Sequence, residues 1–156
     1  MKKKGQSLIE VVIALAVVVA LAISLVTASL ITQRTSRSAS NNTEATKLAL
    51  QTIEQIRALR DRKGFAELVN NTGLSCKRLL MPASDPKDWS LTATGTCPEN
   101  ITSTIFARAI FIEDDNPSSA NRRKVTVTIS WDESSGTQSV TNVTKLSNCV
   151  SSTEAC

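Results

Sequence analysis

The sequence contains no histidine and no tyrosine, and only three phenylalanines and two tryptophans among its 156 residues. Without histidine, the chain lacks the side chain that most often serves as a general base and as a metal ligand. Its four cysteines include no C-x-x-C pair, and no histidine is present to complete a zinc site with them. These absences argue against an enzyme and against a metal site, and we predict no cofactor.

The basic excess of the chain is concentrated at its start. The formal net charge is +4, but removing the three lysines at positions 2–4 from the 18 basic residues leaves 15, against 14 acidic residues. Arg122, Arg123 and Lys124 form the densest basic cluster beyond the helical region, where solvated charges beside a strand are favoured over a phosphate site. Binding to nucleic acid is therefore left open but is not supported.

An apolar run covers residues 11–31, directly after Glu10. As a helix it is about 31 Å long, which matches the ~30 Å hydrocarbon thickness of a bilayer. The run has no proline or glycine, and its few hydroxyl groups can bond back to the helix backbone. The lysines before it predict a cytoplasmic N-terminus and an extracytoplasmic remainder. Glu10 is the unusual residue, because a carboxylate at the edge of the hydrocarbon needs a partner and is a functional hypothesis by default.

Helical periodicity resumes after a polar stretch, residues 33–43, that contains neither glycine nor proline. Thr52 interrupts an apolar stripe with helical spacing, which consists of Ala45, Leu48, Ala49, Ile53, Ile56 and Leu59. On the opposite face, Arg57 is spaced to form ion pairs with Glu54 and with Asp61. We predict one long helix that ends at Gly64 after a basic last turn.

The remaining residues predict a small antiparallel sheet. We expect a short helix over residues 65–71 and an irregular segment over 74–99, followed by strands over 104–112, 124–131 and 137–146. The third strand alternates poorly, which predicts a bulge or a shorter strand. The acidic cluster at residues 113–115 favours a solvated loop over a calcium site. The predicted fold class is α+β, with the amphipathic half of the long helix packed on the sheet.

Four cysteines allow three pairings. We predict that Cys76 pairs with Cys97, which would close the proline-rich loop, and that Cys149 pairs with Cys156 near the C-terminus. Each bridge typically contributes about 2 to 4 kcal/mol, which is useful to a domain with a small sheet.

In its N-terminal region the chain resembles the precursors of type IV pilins and pseudopilins. The resemblance rests on a short basic leader ending in Gly5, on the Ser7-Leu8-Ile9-Glu10 sequence, and on a long apolar helix that runs into an amphipathic one. It implies a leader at 1–5, a membrane and filament-core half of the helix at 6–32, an amphipathic half at 33–64, and a C-terminal sheet region at 65–156.

The resemblance also implies specific roles for three residues. A prepilin peptidase would cut between Gly5 and Gln6 and methylate the new N-terminal Gln6. The family usually has phenylalanine at that position, so Gln6 departs from the pattern. Glu10 occupies the family's glutamate position, where its carboxylate can neutralise the new α-amino group in a low dielectric and set the register of a docking subunit. The implied partners are other pilin or pseudopilin subunits, the prepilin peptidase and an inner-membrane assembly platform.

Several alternatives remain open. Few aromatic residues, and no proline near Thr27, make the chain similar to minor pilins, such as pilus modification proteins, or to minor pseudopilins of type II secretion. A single-pass anchor for an extracytoplasmic binding domain that never polymerises is a second hypothesis. A secretory signal cut after Ala28 is a third, but the apolar run is long and follows a glutamate, which disfavours it.

Overall fold

The computed structural model describes residues 4–82, 88–115 and 121–148. It divides into two compact units, residues 1–41 and 42–156, and each is described separately. The long helix α1, Lys4–Lys63, contributes to both units. A single long helix was predicted from the sequence, and its presence is confirmed.

The C-terminal end of α1 has the predicted features. Arg60, Arg62 and Lys63 provide the basic last turn, and Gly64 follows with a φ of 86°. The Gly64 amide donates to the Arg60 carbonyl at 2.8 Å, so the helix ends in a left-handed cap that glycine adopts without a Cβ penalty. A short helix α2, Ala66–Asn70, follows it as predicted.

The second unit contains a six-stranded antiparallel sheet. Its strands are β1 (Gly73–Leu80), β2 (Ser90–Ala93), β3 (Glu99–Asn100), β4 (Ala107–Asp114), β5 (Arg122–Glu133) and β6 (Gly136–Ser147). The order is β2-β1-β4-β5-β6, and β3 also pairs with β4. The chain therefore has the α+β fold class that the sequence predicts.

The core of this unit lies between α1 and one face of the sheet. The predicted helical stripe is buried at Ala45, Ala49, Ile53, Ile56 and Leu59, and Leu48 is partly buried against the same cluster. The sheet contributes alternate residues of its central strands: Ile110, Ile112, Val125, Val127, Ile129 and Trp131. Trp131 is a core residue, and its ring meets Phe106 edge to face at a centroid distance of 5.7 Å.

Two predictions about the sheet were wrong. The segment predicted to be irregular, residues 74–99, contains the β1–β2 hairpin, in which Leu79 pairs with Leu91 and both are buried. The third predicted strand is neither bulged nor short, because β6 pairs with β5 in continuous register from Gly136 to Ser147. Polar residues such as Asn142 occupy inward positions of β6, which conceals the alternation in the sequence.

One predicted ion pair on α1 was also wrong. Arg57 pairs with Glu54 at 2.6 Å as expected, but Asp61 pairs with the neighbouring Arg60, with Arg60 Nη2 lying 2.7 Å from Asp61 Oδ1. Arg57 instead donates to the Thr144 hydroxyl on β6 at 3.0 Å. The hydroxyl of Thr144 on β6 therefore takes the place of the Asp61 carboxylate, which the helical spacing predicted as a partner of Arg57.

Candidate assembly segment

The residues predicted for processing and docking lie at the start of α1. Gly5 and Gln6 fall in its first turn, and Glu10 lies further along the same helix. Glu10 is exposed, and it makes no ion pair with any residue that the structure describes. Its carboxylate is thus available to a partner outside the chain, which is the property that the docking prediction requires.

The apolar run following Glu10 is uncovered along its whole length. Its large aliphatic side chains range from 50% exposed at Val19 to 72% exposed at Leu25. The helix is long and apolar enough to cross a membrane by length and composition. Because so large an apolar surface is unfavourable in water, lipid or another protein must cover it.

Four hydroxyl side chains within and just after this run donate back to the helix. The hydroxyls of Ser24 and Thr27 donate to the carbonyls of Ala20 and Ile23, four residues earlier, at 2.9 and 2.8 Å. Thr32 and Thr35 make the same kind of bond just beyond it. Internally bonded hydroxyls and an unbroken backbone ladder suit a hydrocarbon environment, where no water is available as a partner.

The acidic and basic clusters singled out in the sequence neutralise each other across two strands. Lys124 pairs with Glu113 at 2.6 Å and Arg123 with Asp114 at 3.0 Å, and both pairs are adjacent in the β4–β5 register. Arg122 extends this ladder to Asp115, the residue directly after β4. Each cluster therefore supplies the counter-ions of the other.

Asp115 also links this ladder to β6. Its Oδ1 lies 2.8 Å from Lys145 Nζ, and Arg122 is its second cationic neighbour. The hydrogen bond from Lys145 is the main cause that lowers the pKa of Asp115 below its ordinary value of 3.8. The carboxylate is therefore held in its charged form at neutral pH.

One of the two predicted disulfides is present. Cys76 on β1 is joined to Cys97, which lies between β2 and β3, and their Cα atoms are 5.9 Å apart. The pairing itself was predicted from the sequence, but the segment that it closes contains the β1–β2 hairpin and is not irregular. Cys149 and Cys156 lie outside the described residues.

Sequence reasoning missed a group of charges formed by three strands. Arg78 on β1, Glu99 on β3 and Arg108 on β4 come together, although 30 residues separate the first from the last. It also missed the stacking of the Arg62 guanidinium over Trp89, 5.0 Å from the ring centroid. Neither could be found from the sequence, because Arg78, Trp89 and Glu99 all lie in the segment predicted to be irregular.

Within the described ranges, no group of three or more His, Cys, Asp or Glu side chains is arranged to hold a metal ion. A scan against models of known protein families, a search of curated proteins and a search of solved structures each found no match. The class that the fold defines is an α+β chain with one N-terminal helix able to span a membrane. Its long helix and antiparallel sheet are compatible with a pilin-like architecture.

Proposed function

We propose that this chain is the precursor of a structural subunit, most similar to a minor pilin, of a type IV pilus-like filament. It is inserted in the inner membrane with its N-terminus in the cytoplasm and is cut after Gly5. It then assembles through α1 with other subunits. The observation that carries the proposal is the combination of the leader and Glu10 with a helix whose apolar surface is uncovered beyond that carboxylate.

The physical argument is that one surface serves two environments. The aliphatic side chains of residues 11–31 are compatible with lipid before assembly and with neighbouring helices afterwards. Glu10 is costly in either apolar setting unless a cation neutralises it. Cleavage after Gly5 supplies such a cation, the α-amino group of Gln6, on the same or a neighbouring subunit.

Mass spectrometry of the mature N-terminus tests the processing step. We expect a chain that begins at Gln6, with or without one added methyl group. An intact Met1 would instead favour the anchored binding domain, and a start at Ser29 would favour a secretory signal. Methylation is a separate readout, because Gln6 departs from the residue usual in the family.

The docking role is tested by comparing Glu10→Ala with Glu44→Ala, which removes an exposed glutamate from the amphipathic half of the same helix. We expect both variants to insert in the membrane, and only Glu10→Ala to lose incorporation into sheared filaments. Equal incorporation of the two variants would exclude a docking role for Glu10. A minor pseudopilin of type II secretion is the second candidate, and co-purification with secretion rather than pilus components would favour it.

A further inference from the structure

Two arginines, Arg34 and Arg37, are the first charged residues after the apolar run of α1. Both are exposed, and because they are three residues apart they lie on the same side of the helix. Neither makes an ion pair with any residue that the structure describes. Glu10 is the only acidic residue at positions 1–41, so the first unit has no counter-ion near the two arginines.

The polar side chains beside the two arginines are bonded to the helix itself. Thr32 and Thr35 donate to carbonyls four residues earlier at 2.9 and 3.0 Å, and Gln33 Nε2 donates to the Ser29 hydroxyl at 3.3 Å. Each guanidinium carries five N–H donors, and no described side chain of this turn accepts from them. The donors of both arginines are therefore directed to the surroundings of the helix.

The position of the two arginines along α1 matches the boundary of a bilayer. Arg34 follows Glu10 by 24 positions, which is about 36 Å along a helix with a rise of ~1.5 Å per residue. The hydrocarbon core of a bilayer is about 30 Å thick, and the headgroup regions extend it to about 40 to 45 Å. With Glu10 at one boundary of the hydrocarbon, Arg34 lies among the headgroups of the opposite leaflet. Arg37, one turn further, has a side chain long enough to reach the same layer.

We propose that Arg34 and Arg37 together bind the phosphate of an anionic phospholipid in the extracytoplasmic leaflet. A guanidinium matches two phosphate oxygens with parallel, charge-assisted hydrogen bonds, and two guanidinium groups on one side of the helix can approach the same headgroup. The lipid supplies the negative charge that the first unit lacks at this end. The inference rests on the membrane insertion in the proposed function, but it does not require cleavage or polymerisation.

The charge of the headgroup decides which lipid is favoured. The phosphate of phosphatidylcholine is compensated by the quaternary ammonium of the same headgroup, whereas phosphatidylglycerol keeps a net negative charge. A basic side chain at the membrane surface is attracted by that net charge. Because α1 is one continuous helix, a contact at Arg34 also sets the depth at which Glu10 lies in the opposite leaflet.

The site can be tested by NMR on the full-length protein in phosphatidylcholine bicelles, with ¹⁵N-labelled arginine. Phosphatidylglycerol replaces phosphatidylcholine stepwise at constant total lipid and constant ionic strength. We expect saturable shifts of the Arg34 and Arg37 Nε–H signals, which are assigned by their loss in Arg34→Gln and Arg37→Gln. The Arg57 signal is the internal control and should not move, because its guanidinium is already paired with Glu54.

Native mass spectrometry of the same protein measures the preference for phosphatidylglycerol over phosphatidylcholine. Arg34→Gln with Arg37→Gln should lower that preference by about fivefold for each arginine removed. The matched control is Lys47→Gln with Lys63→Gln, which removes the same charge from exposed positions of α1 in the second unit. The lysines at positions 2–4 remain in both double variants and contribute equally.

Three outcomes would overturn the site. These are equal preference in the two double variants, absence of a saturable shift at Arg34 and Arg37, and a shift of Arg57 as large as theirs. Shifts of the same size from inorganic phosphate in phosphatidylcholine bicelles would overturn the assignment to a lipid.

Deuterium exchange separates failure of this site from failure of the proposed function. Amides of residues 11–31 that are protected in both lipids verify that α1 is inserted. Protected amides without lipid-dependent shifts would overturn the headgroup site and leave the filament proposal standing. Rapid exchange of these amides would show that α1 does not enter the bilayer, which would overturn both.

Discussion

At the scale of single residues, burial separates side chains with similar chemistry. Ile56 is fully buried in the core, whereas Leu50, also on α1, is 52% exposed. Thr52 occupies a core position that a polar residue normally avoids, and its hydroxyl is satisfied by the Leu48 carbonyl at 2.8 Å. A threonine can therefore occupy the apolar stripe without an unpaired buried group.

Ile56→Ala should lower the free energy of unfolding by about 2 to 5 kcal/mol, because it leaves a cavity where the stripe meets the sheet. The matched control Leu50→Ala should change it by less than about 0.5 kcal/mol, since Leu50 is largely in solvent. Urea unfolding in detergent micelles, followed by fluorescence of Trp89 and Trp131, measures both values. Similar losses for the two variants would contradict the position of the core.

Asp115 should make the stability of the sheet depend on pH in the acid range. The pKa of Asp115 is lower in the folded chain than its ordinary value of 3.8. The ionised carboxylate therefore stabilises the folded state at pH values above 3.8. The contribution is lost as the pH falls through the lower, folded pKa. Urea unfolding of Asp115→Asn at a series of pH values should show a smaller loss of stability below pH 3.8 than the unaltered protein.

Asp132→Asn is the control for that comparison, because it removes a carboxylate from the hairpin end of β5 without altering the contact between Asp115 and Lys145. It should keep the part of the acid sensitivity that Asp115 supplies. An unchanged pH profile in Asp115→Asn would show that the Lys145 contact does not stabilise the folded state.

At the scale of elements, β1 is a strand that was not predicted from the sequence. Its alternation is obscured by Lys77, which is buried and bonded through Nζ to the Ser75 hydroxyl at 2.8 Å. The strand is held on one side by β4 and on the other by β2, and the Cys76–Cys97 bridge joins it to the segment before β3. The disulfide thus stabilises a hairpin, where the sequence predicted an irregular loop.

Removal of this bridge should destabilise the second unit by about 3 kcal/mol, the loop-closure value for cysteines separated by 21 residues. The comparison is made in a chain with Cys149→Ser and Cys156→Ser, so that only Cys76 and Cys97 can respond to a reductant. Thermal unfolding with and without the reductant measures the effect. An identical transition in both conditions would mean that the bridge does not stabilise the folded unit.

At the scale of the whole molecule, the division between residues 41 and 42 separates two kinds of surface. Before it, the apolar side chains of α1 are exposed; after it, the apolar stripe of α1 is buried in a core shared with the sheet. The second unit has its own hydrophobic core, which is the physical requirement for independent folding.

A chain that begins at Asn42 should therefore fold as a soluble domain without detergent. We expect cooperative unfolding by circular dichroism and the same environment of Trp131 as in the full-length protein. Further truncation to residue 60, which removes the helical stripe, should abolish folding because one face of the sheet would lose its cover. A non-cooperative transition in the chain from Asn42 would contradict the independence of this unit.

The sequence by itself determined the features that depend on near neighbours. The apolar run, the stripe from Ala45 to Leu59 and the cap at Gly64 arise from helical periodicity and local backbone preference, which operate over a few residues. The pattern of β5 was equally clear, because its alternate residues face the core without interruption.

Only the tertiary structure decided what depends on strand pairing. The register of β4 with β5 brings the acidic and basic clusters into one ladder, and the position of β3 beside β4 brings Arg78 and Arg108 to the same carboxylate. Such contacts join residues far apart in the chain, and a shift of one residue would turn their side chains to the other face. Local sequence patterns do not specify the strand register, because the register depends on the packing of the whole sheet.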